Sequence, residues 1–183
     1  MSGLREFLFK VWLSAFAAWI PLAAQAAPAR VDVRHEIECL ALTIYFEARG
    51  EPDQGKLAVG HVVMNRVSDP RYPSWVCDVV RQGGEWPHNR CQFSWWCDGR
   101  SDQPKDRVPW ERSKAFARLI YWGFTKDPTA GALWYHADYV RPVWRKVLGQ
   151  GPKIGRHIFY YGNRKGAGLP MRQATVLAGK TVQ

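Results

Sequence analysis

The sequence predicts an α+β fold, mainly helical, with a small β-sheet lobe. Apolar residues recur from Ile37 through Leu40, Ala41 and Ile44 to Ala48 at the 3.6-residue spacing of one helix face. A second segment, Lys56 to Val67, is apolar nearly all round, the pattern of a helix buried in the middle of a domain. Two short runs rich in aromatic and apolar residues, Ala132 to Tyr135 and His157 to Tyr161, are bounded by Gly, Pro or Asp and read as strands. A length of 183 residues with 46% hydrophobic residues fits one domain with a buried core. An aromatic content of 14% excludes disorder for the bulk of the chain.

The chain opens with the layout of a secretory signal over residues 1–26. Arg5 and Lys10 supply positive charge, Val11 to Ile20 is an uninterrupted, mostly apolar run, Pro21 breaks it, and Ala24-Gln25-Ala26 has the small-x-small cleavage pattern. The apolar run is shorter than the roughly 20 residues a membrane span needs, so cleavage is expected, with a retained anchor as the alternative. Asp32 is placed to cap the first helix, with Glu36 in its first turn, and Gly50 and Pro52 end it near Arg49. Asp53 is the expected cap of the second helix. A short helix over Trp75 to Arg81, capped by Ser74, and a longer one over Trp110 to Phe124 follow. Gly83 to Pro109, rich in Gly, Asn, Asp and Pro, reads as a long surface loop of the kind that carries function. The tail, residues 164–183, has no aromatic residue and is expected to be flexible.

Charge and cysteines bound the function. Lys and Arg number 26 against 16 Asp and Glu, a net charge of +10, which points to an anionic partner. Export removes genomic DNA from that set, so no nucleic acid is expected. The single long apolar stretch excludes a multispan membrane protein, and no stable membrane insertion is expected once the signal is cut. All four cysteines follow the signal, an even number suited to an oxidising compartment, and no C-x-x-C pair marks a zinc ribbon. Sequence does not decide among the three connectivities four cysteines allow. The arrangement favoured here closes the QFSWW loop with Cys91–Cys97 and joins the first helix to a later segment with Cys39–Cys77.

The most informative segment is Ile44 to Glu51, IYFEARGE. On the helical wheel Glu47 lies about 80° from Ile37, at the margin of the buried arc. A carboxyl there is partly desolvated, which raises its pKa and suits it to general acid work. Pairing of Glu47 with Arg49 or another base at a helix end is the inert alternative, and on spacing alone the commoner one. Glu51, four residues on and past the helix stop, is a candidate second carboxylate.

The run Leu40 to Val67, LALTIYFEARGEPDQGKLAVGHVVMNRV, resembles the core signature of the SleB/CwlJ-type cell-wall hydrolases, the spore-cortex lytic enzyme family. CQFSWWCDG (Cys91 to Gly99), DPTAGALWYH (Asp127 to His136) and IGRHIF (Ile154 to Phe159) resemble later family segments and stand in the same order. The resemblance implies a lysozyme-like catalytic domain over residues 27–163 that cuts peptidoglycan glycan strands without a metal or other cofactor. It places the catalytic acid on Glu47. The implied reaction is lytic transglycosylation between N-acetylmuramic acid and N-acetylglucosamine, which needs no second carboxylate. Hydrolysis would need one at a defined distance, with Glu51, Asp98 and Asp138 as candidates. Tyr45, Tyr135 and His136 are expected to line the cleft, Gln92 and Ser94 to bind sugar, Phe93 to anchor its loop, and Asp98-Gly99 to form a turn that also meets ligand. The partner expected is peptidoglycan, the protein a monomer, and the location the periplasm, with secretion as the alternative.

Two other classes compete. A zinc amidase would share the substrate, but none of the five histidines belongs to an H-E-x-x-H motif or a close pair. A non-catalytic glycan-binding module would use the tryptophans that follow the signal, and would not depend on Glu47.

Overall fold

The computed structural model describes residues 31–83 and 91–162. The signal-peptide and tail expectations, and residues 84–90 of the expected surface loop, lie outside them. Among the described residues four α-helices come first, α1 (Val33–Ala48), α2 (Asp53–Ser68), α3 (Val76–Arg81) and α4 (Arg107–Tyr121), and three strands follow, β1 (Trp134–Ala137), β2 (Gly149–Ile154) and β3 (His157–Tyr161). The strands form one antiparallel sheet in the order β1-β3-β2. Single 3-10 turns occupy Ser94–Cys97 and Val143–Lys146. The α+β expectation holds.

Two apolar clusters explain why α2 lacks a polar face. Val63 packs with Leu40, Ala41 and Ile44 of α1 and Ala117 and Ile120 of α4, whereas Ala58 and Val62 pack with Ala132 and with Phe159 of β3. The helix is thus covered by helices on one side and by the sheet on the other. Gly60 makes the crossing possible: a Cβ there would stand 2.5 Å from Ile120 Cδ1 and 3.0 Å from Ile44 Cδ1. No side chain fits without displacing one of those isoleucines.

The starts of α1 to α3 match the expected positions better than the expected caps, whereas α4 runs three residues earlier than expected at both ends, from Arg107 to Tyr121. The Asp32 carboxylate accepts the Arg34 N–H at 2.9 Å as foreseen. Asp53 is not a cap; it is the first residue of α2, behind Pro52, and its carboxylate pairs with Arg112 at 2.5 Å. Ser74 does not cap α3 either. Glu36, 6% exposed, does so from across the core, accepting the N–H groups of Val76 at 2.5 Å and Cys77 at 3.3 Å. A carboxylate aimed at free helix N–H groups is favoured by their partial positive charge. The disulfide Cys39–Cys77 locks the same α1–α3 contact, and Cys91–Cys97 closes the QFSWW loop, the pairing favoured from sequence. Closing 38 residues of chain by Cys39–Cys77 stabilises the fold by about 4 kcal/mol in the chain-entropy account.

Strand β2 is absent from the sequence expectation because GQGPKI carries two glycines and a proline. It forms because β3 pairs with both of its ends, Gly149 and Gln150 and then Lys153 and Ile154, with an irregularity between Gln150 and Lys153. The described part of the expected loop is also less of a surface than its composition implied. Phe93 and Trp95 are 2% and 7% exposed, and Trp95 stacks on Phe46 of α1 with ring centroids 4.9 Å apart.

Candidate active site

Glu47 sits in the last turn of α1, partly buried, and Tyr135 on β1 reaches it from the sheet. The Tyr135 hydroxyl donates to Glu47 Oε2 at 3.0 Å. Burial pushes the Glu47 carboxyl above its ordinary value of 4.5, and the Tyr135 hydrogen bond and the nearby Arg66 charge work against that rise without cancelling it. Desolvation and the adjacent carboxylate likewise hold the Tyr135 hydroxyl well above its ordinary value, so it stays a donor. Among the described residues Glu47 makes no ion pair with Arg49 or another base, and the Arg49 guanidinium lies over the Tyr45 ring, 5.1 Å from its centroid.

The segment that delivers Tyr135 is held by the end of α2. Asn65 Nδ2 donates to the carbonyl of Ala132 at 3.0 Å and Arg66 Nε to that of Leu133 at 2.8 Å. Asn65 also donates to Asp127 Oδ2 at 2.9 Å. The Asp127 carboxylate in turn accepts the N–H groups of Thr129 at 2.7 Å and Gly131 at 2.8 Å. That bonding steadies a turn in which Ala130 adopts φ 53°, a left-handed value uncommon outside glycine. The NRV and DPT segments, separate in sequence, are therefore one joint whose product is the placement of Tyr135.

Arg66 has a second part in this joint. It is 2% exposed, and its guanidinium lies 5.5 Å from the Tyr72 ring centroid and 5.4 Å from that of Phe93. A buried cation beside a buried carboxyl favours the ionised form of that carboxyl. Sequence reasoning missed Arg66. The signal available was the helical phase of α2, which puts residue 66 on the same face as Val62 and Val59.

Several expected site residues are placed elsewhere. Tyr45 does not line the cleft: it is 1% exposed, donates to Asp106 Oδ2 at 2.9 Å and accepts the N–H groups of Lys105 and Asp106, both at 3.1 Å. Two residues along a helix is a turn of about 200°, so Tyr45 and Glu47 face opposite ways. His136 follows Tyr135 on a strand and points to the other face of the sheet. It is 7% exposed, bonds the Tyr160 hydroxyl at 3.0 Å and stacks on that ring. Phe93 is core, the base on which Arg66 rests. Gln92 and Ser94, on either side of it, are exposed and free to meet a ligand. Asp98 is exposed and caps its own turn by accepting the Arg100 N–H at 2.9 Å, ahead of Gly99 at φ 74°.

Glu51 is engaged by the β2–β3 turn. Its Oε2 accepts the Arg156 N–H at 2.9 Å, in the tight turn between β2 and β3, and its carbonyl accepts from Lys56. Gly155 completes that turn at φ 59°, where a Cβ would run into the Glu51 carboxylate. Asp138 pairs with Lys153 at 2.8 Å. Among the described residues the tight group of possible metal donors is His35, Cys39 and Cys77, and its two sulfurs are joined to each other.

Comparison with known proteins agrees with this architecture. The family described as Cell Wall Hydrolase matches residues 50–160. That match begins three residues after Glu47. The spore cortex-lytic enzyme of Bacillus subtilis (strain 168) is 31% identical over 127 residues, 68% of this chain and 37% of the relative. That of Bacillus cereus is 32% identical over 127 residues, 69% of this chain and 44% of the relative. The chain thus spans less than half the length of these curated relatives. Among solved structures, the catalytic domain of the germination-specific lytic transglycosylase SleB from Bacillus anthracis superposes with a TM-score of 0.54 at 28% identity, covering 74% of this chain and all of that one. The catalytic domain of the Bacillus cereus SleB protein gives 0.53 at 27% identity, with 74% and 95% covered.

Proposed function

Because the chain belongs to the cell wall hydrolase family, we propose that it is an exported lytic transglycosylase that cuts peptidoglycan glycan strands with Glu47 as general acid and base. The observation that carries this is the partly buried Glu47 carboxyl, held above its ordinary pKa by desolvation and hydrogen-bonded by Tyr135. A protonated Glu47 donates its proton to the glycosidic oxygen between N-acetylmuramic acid and N-acetylglucosamine as the bond to the muramic anomeric carbon breaks. The resulting carboxylate takes the proton from the muramic 6-hydroxyl as that oxygen bonds to the anomeric carbon. The product carries a 1,6-anhydro ring, the second sugar leaves with a free hydroxyl, and Glu47 is again protonated. No water is consumed.

Tyr135 serves both halves of the cycle. Its hydroxyl holds Oε2 in place and stabilises the carboxylate formed at the midpoint, when the charge is least solvated. Engagement of Glu51 by the β2–β3 turn and of Asp138 by Lys153 supports the route that needs one carboxylate over a two-carboxylate hydrolysis. Exposed Gln92 and Ser94 are the proposed contacts to sugar hydroxyls and acetamides, and the net positive charge favours a wall bearing carboxylates. The signal layout at residues 1–26 supports delivery to the periplasm. Digestion of purified peptidoglycan followed by mass spectrometry of the soluble fragments tests the route. Muramic ends 18 Da lighter than reducing ends, the mass of one water, are expected; reducing ends alone would replace transglycosylation by hydrolysis.

A further inference from the structure

The connection from β1 to β2 carries an exposed surface that the glycan chemistry leaves unused. Tyr139, Val140, Val143 and Val147 are 72%, 42%, 83% and 69% exposed, four large apolar side chains within nine residues. Basic residues flank them in sequence: from Asp138 to Arg156 the chain has five Arg or Lys and one acid. Asp138, the one acid, is already paired with Lys153, and Arg141 and Lys146 are exposed. The base of this surface is firm. Trp144 packs against His136 and Tyr160 of the sheet at 5.6 and 5.4 Å, and the Arg156 guanidinium lies 5.5 Å from the Tyr139 ring centroid.

We propose that residues 139–147 form a peripheral docking surface for an anionic lipid bilayer, with the valines and Tyr139 at the acyl boundary and Arg141, Lys146 and Arg156 on the headgroup phosphates. The chemistry favours lipid over glycan. Valine has neither the flat ring that packs on a sugar face nor a group that bonds a hydroxyl. An interface of acyl chains under phosphates accepts aliphatic and basic side chains together. Such adsorption is not insertion: no described helix is long and apolar enough to cross a membrane. The proposal stands on exposure and charge, and does not depend on what Glu47 does.

Hydrogen exchange resolved by segment tests it on the full chain, because a retained Val11–Ile20 run would hold the protein on any vesicle and blur a simple binding assay. Phosphatidylcholine vesicles and phosphatidylcholine–phosphatidylglycerol vesicles are compared. Exchange across 139–147 is expected to slow by roughly tenfold on the anionic vesicles only. The pair Val143→Asp and Val147→Asp, both on exposed side chains, is expected to abolish that slowing and leave the rest of the exchange pattern unchanged. Equal protection on neutral vesicles, or none on either, overturns the proposal. So does protection by purified peptidoglycan without vesicles, which assigns the surface to the polymer, or protection that follows protein concentration, which assigns it to a second copy.

Discussion

Tyr135 and Glu47, 88 residues apart in sequence, meet through a 3.0 Å hydrogen bond in which the phenol donates to the carboxyl. Each side chain is set by a different layer of the fold, the carboxyl by α1 and the phenol by β1. Their contact joins the helical and sheet lobes at the proposed acid.

Tyr135→Phe removes the donor and keeps the ring against His157 and Phe159. The hydrogen bond lowers the Glu47 pKa, so its loss raises it further. The alkaline limb of the pH–kcat profile, where the acid loses its proton, is expected to move to higher pH. The rate at the optimum is expected to fall by about tenfold or more, since the carboxylate of the second half-reaction loses its partner. An unmoved alkaline limb would separate Tyr135 from the titration of Glu47.

Glu47→Gln should stabilise the protein at neutral pH. The folded-state pKa lies above the unfolded value of 4.5, so the unfolded chain gives up this proton first as pH rises. Stability is therefore full below about 4.5, declines as pH rises toward the raised folded value, and stays reduced above it. Gln carries no such penalty. A gain of about 1 kcal/mol at pH 7 that vanishes below pH 4 is expected from urea unfolding across that range. A variant less stable than the parent at pH 7 would contradict the buried-acid assignment.

Arg66→Met removes the Nε–H bond to the Leu133 carbonyl and the charge between the Tyr72 and Phe93 rings. A cost of about 3 kcal/mol in chemical denaturation is expected, because a buried carbonyl loses its donor. Arg66→Lys keeps the charge and is expected to lose less stability. The loss of the cation in Arg66→Met moves the alkaline limb of the pH–rate profile upward; in Arg66→Lys the limb stays nearer its original position.

What could be read from the sequence divides along physical lines. The helices were legible because α1 has one apolar face and α2 has no polar one, and both patterns are local. The partly buried position of Glu47 was legible for the same reason, since helical phase put it at the edge of the buried arc, whereas its proposed role came from the EARGE resemblance and not from spacing. Tyr45 and His136 were misplaced by proximity in sequence: two residues along a helix, or one along a strand, reverses the direction of a side chain. Arg66 was hidden because a cation in an apolar helix reads as an exposed interruption, whereas Phe93, Tyr72 and the Leu133 carbonyl, all distant in sequence, bury it. Strand β2 was hidden because its pairing with β3 overrides the poor propensity of GQGPKI. Glu36 is the first-turn acid of its own helix that the sequence indicated and also caps α3, a tertiary contact no local rule contains.

The most direct test of the account replaces Glu47 with Gln and follows both turnover and binding on purified peptidoglycan. Release of soluble fragments is expected to fall by at least about a thousandfold, while the protein still cosediments with the insoluble polymer. Release at the parent rate by Glu47→Gln would contradict it.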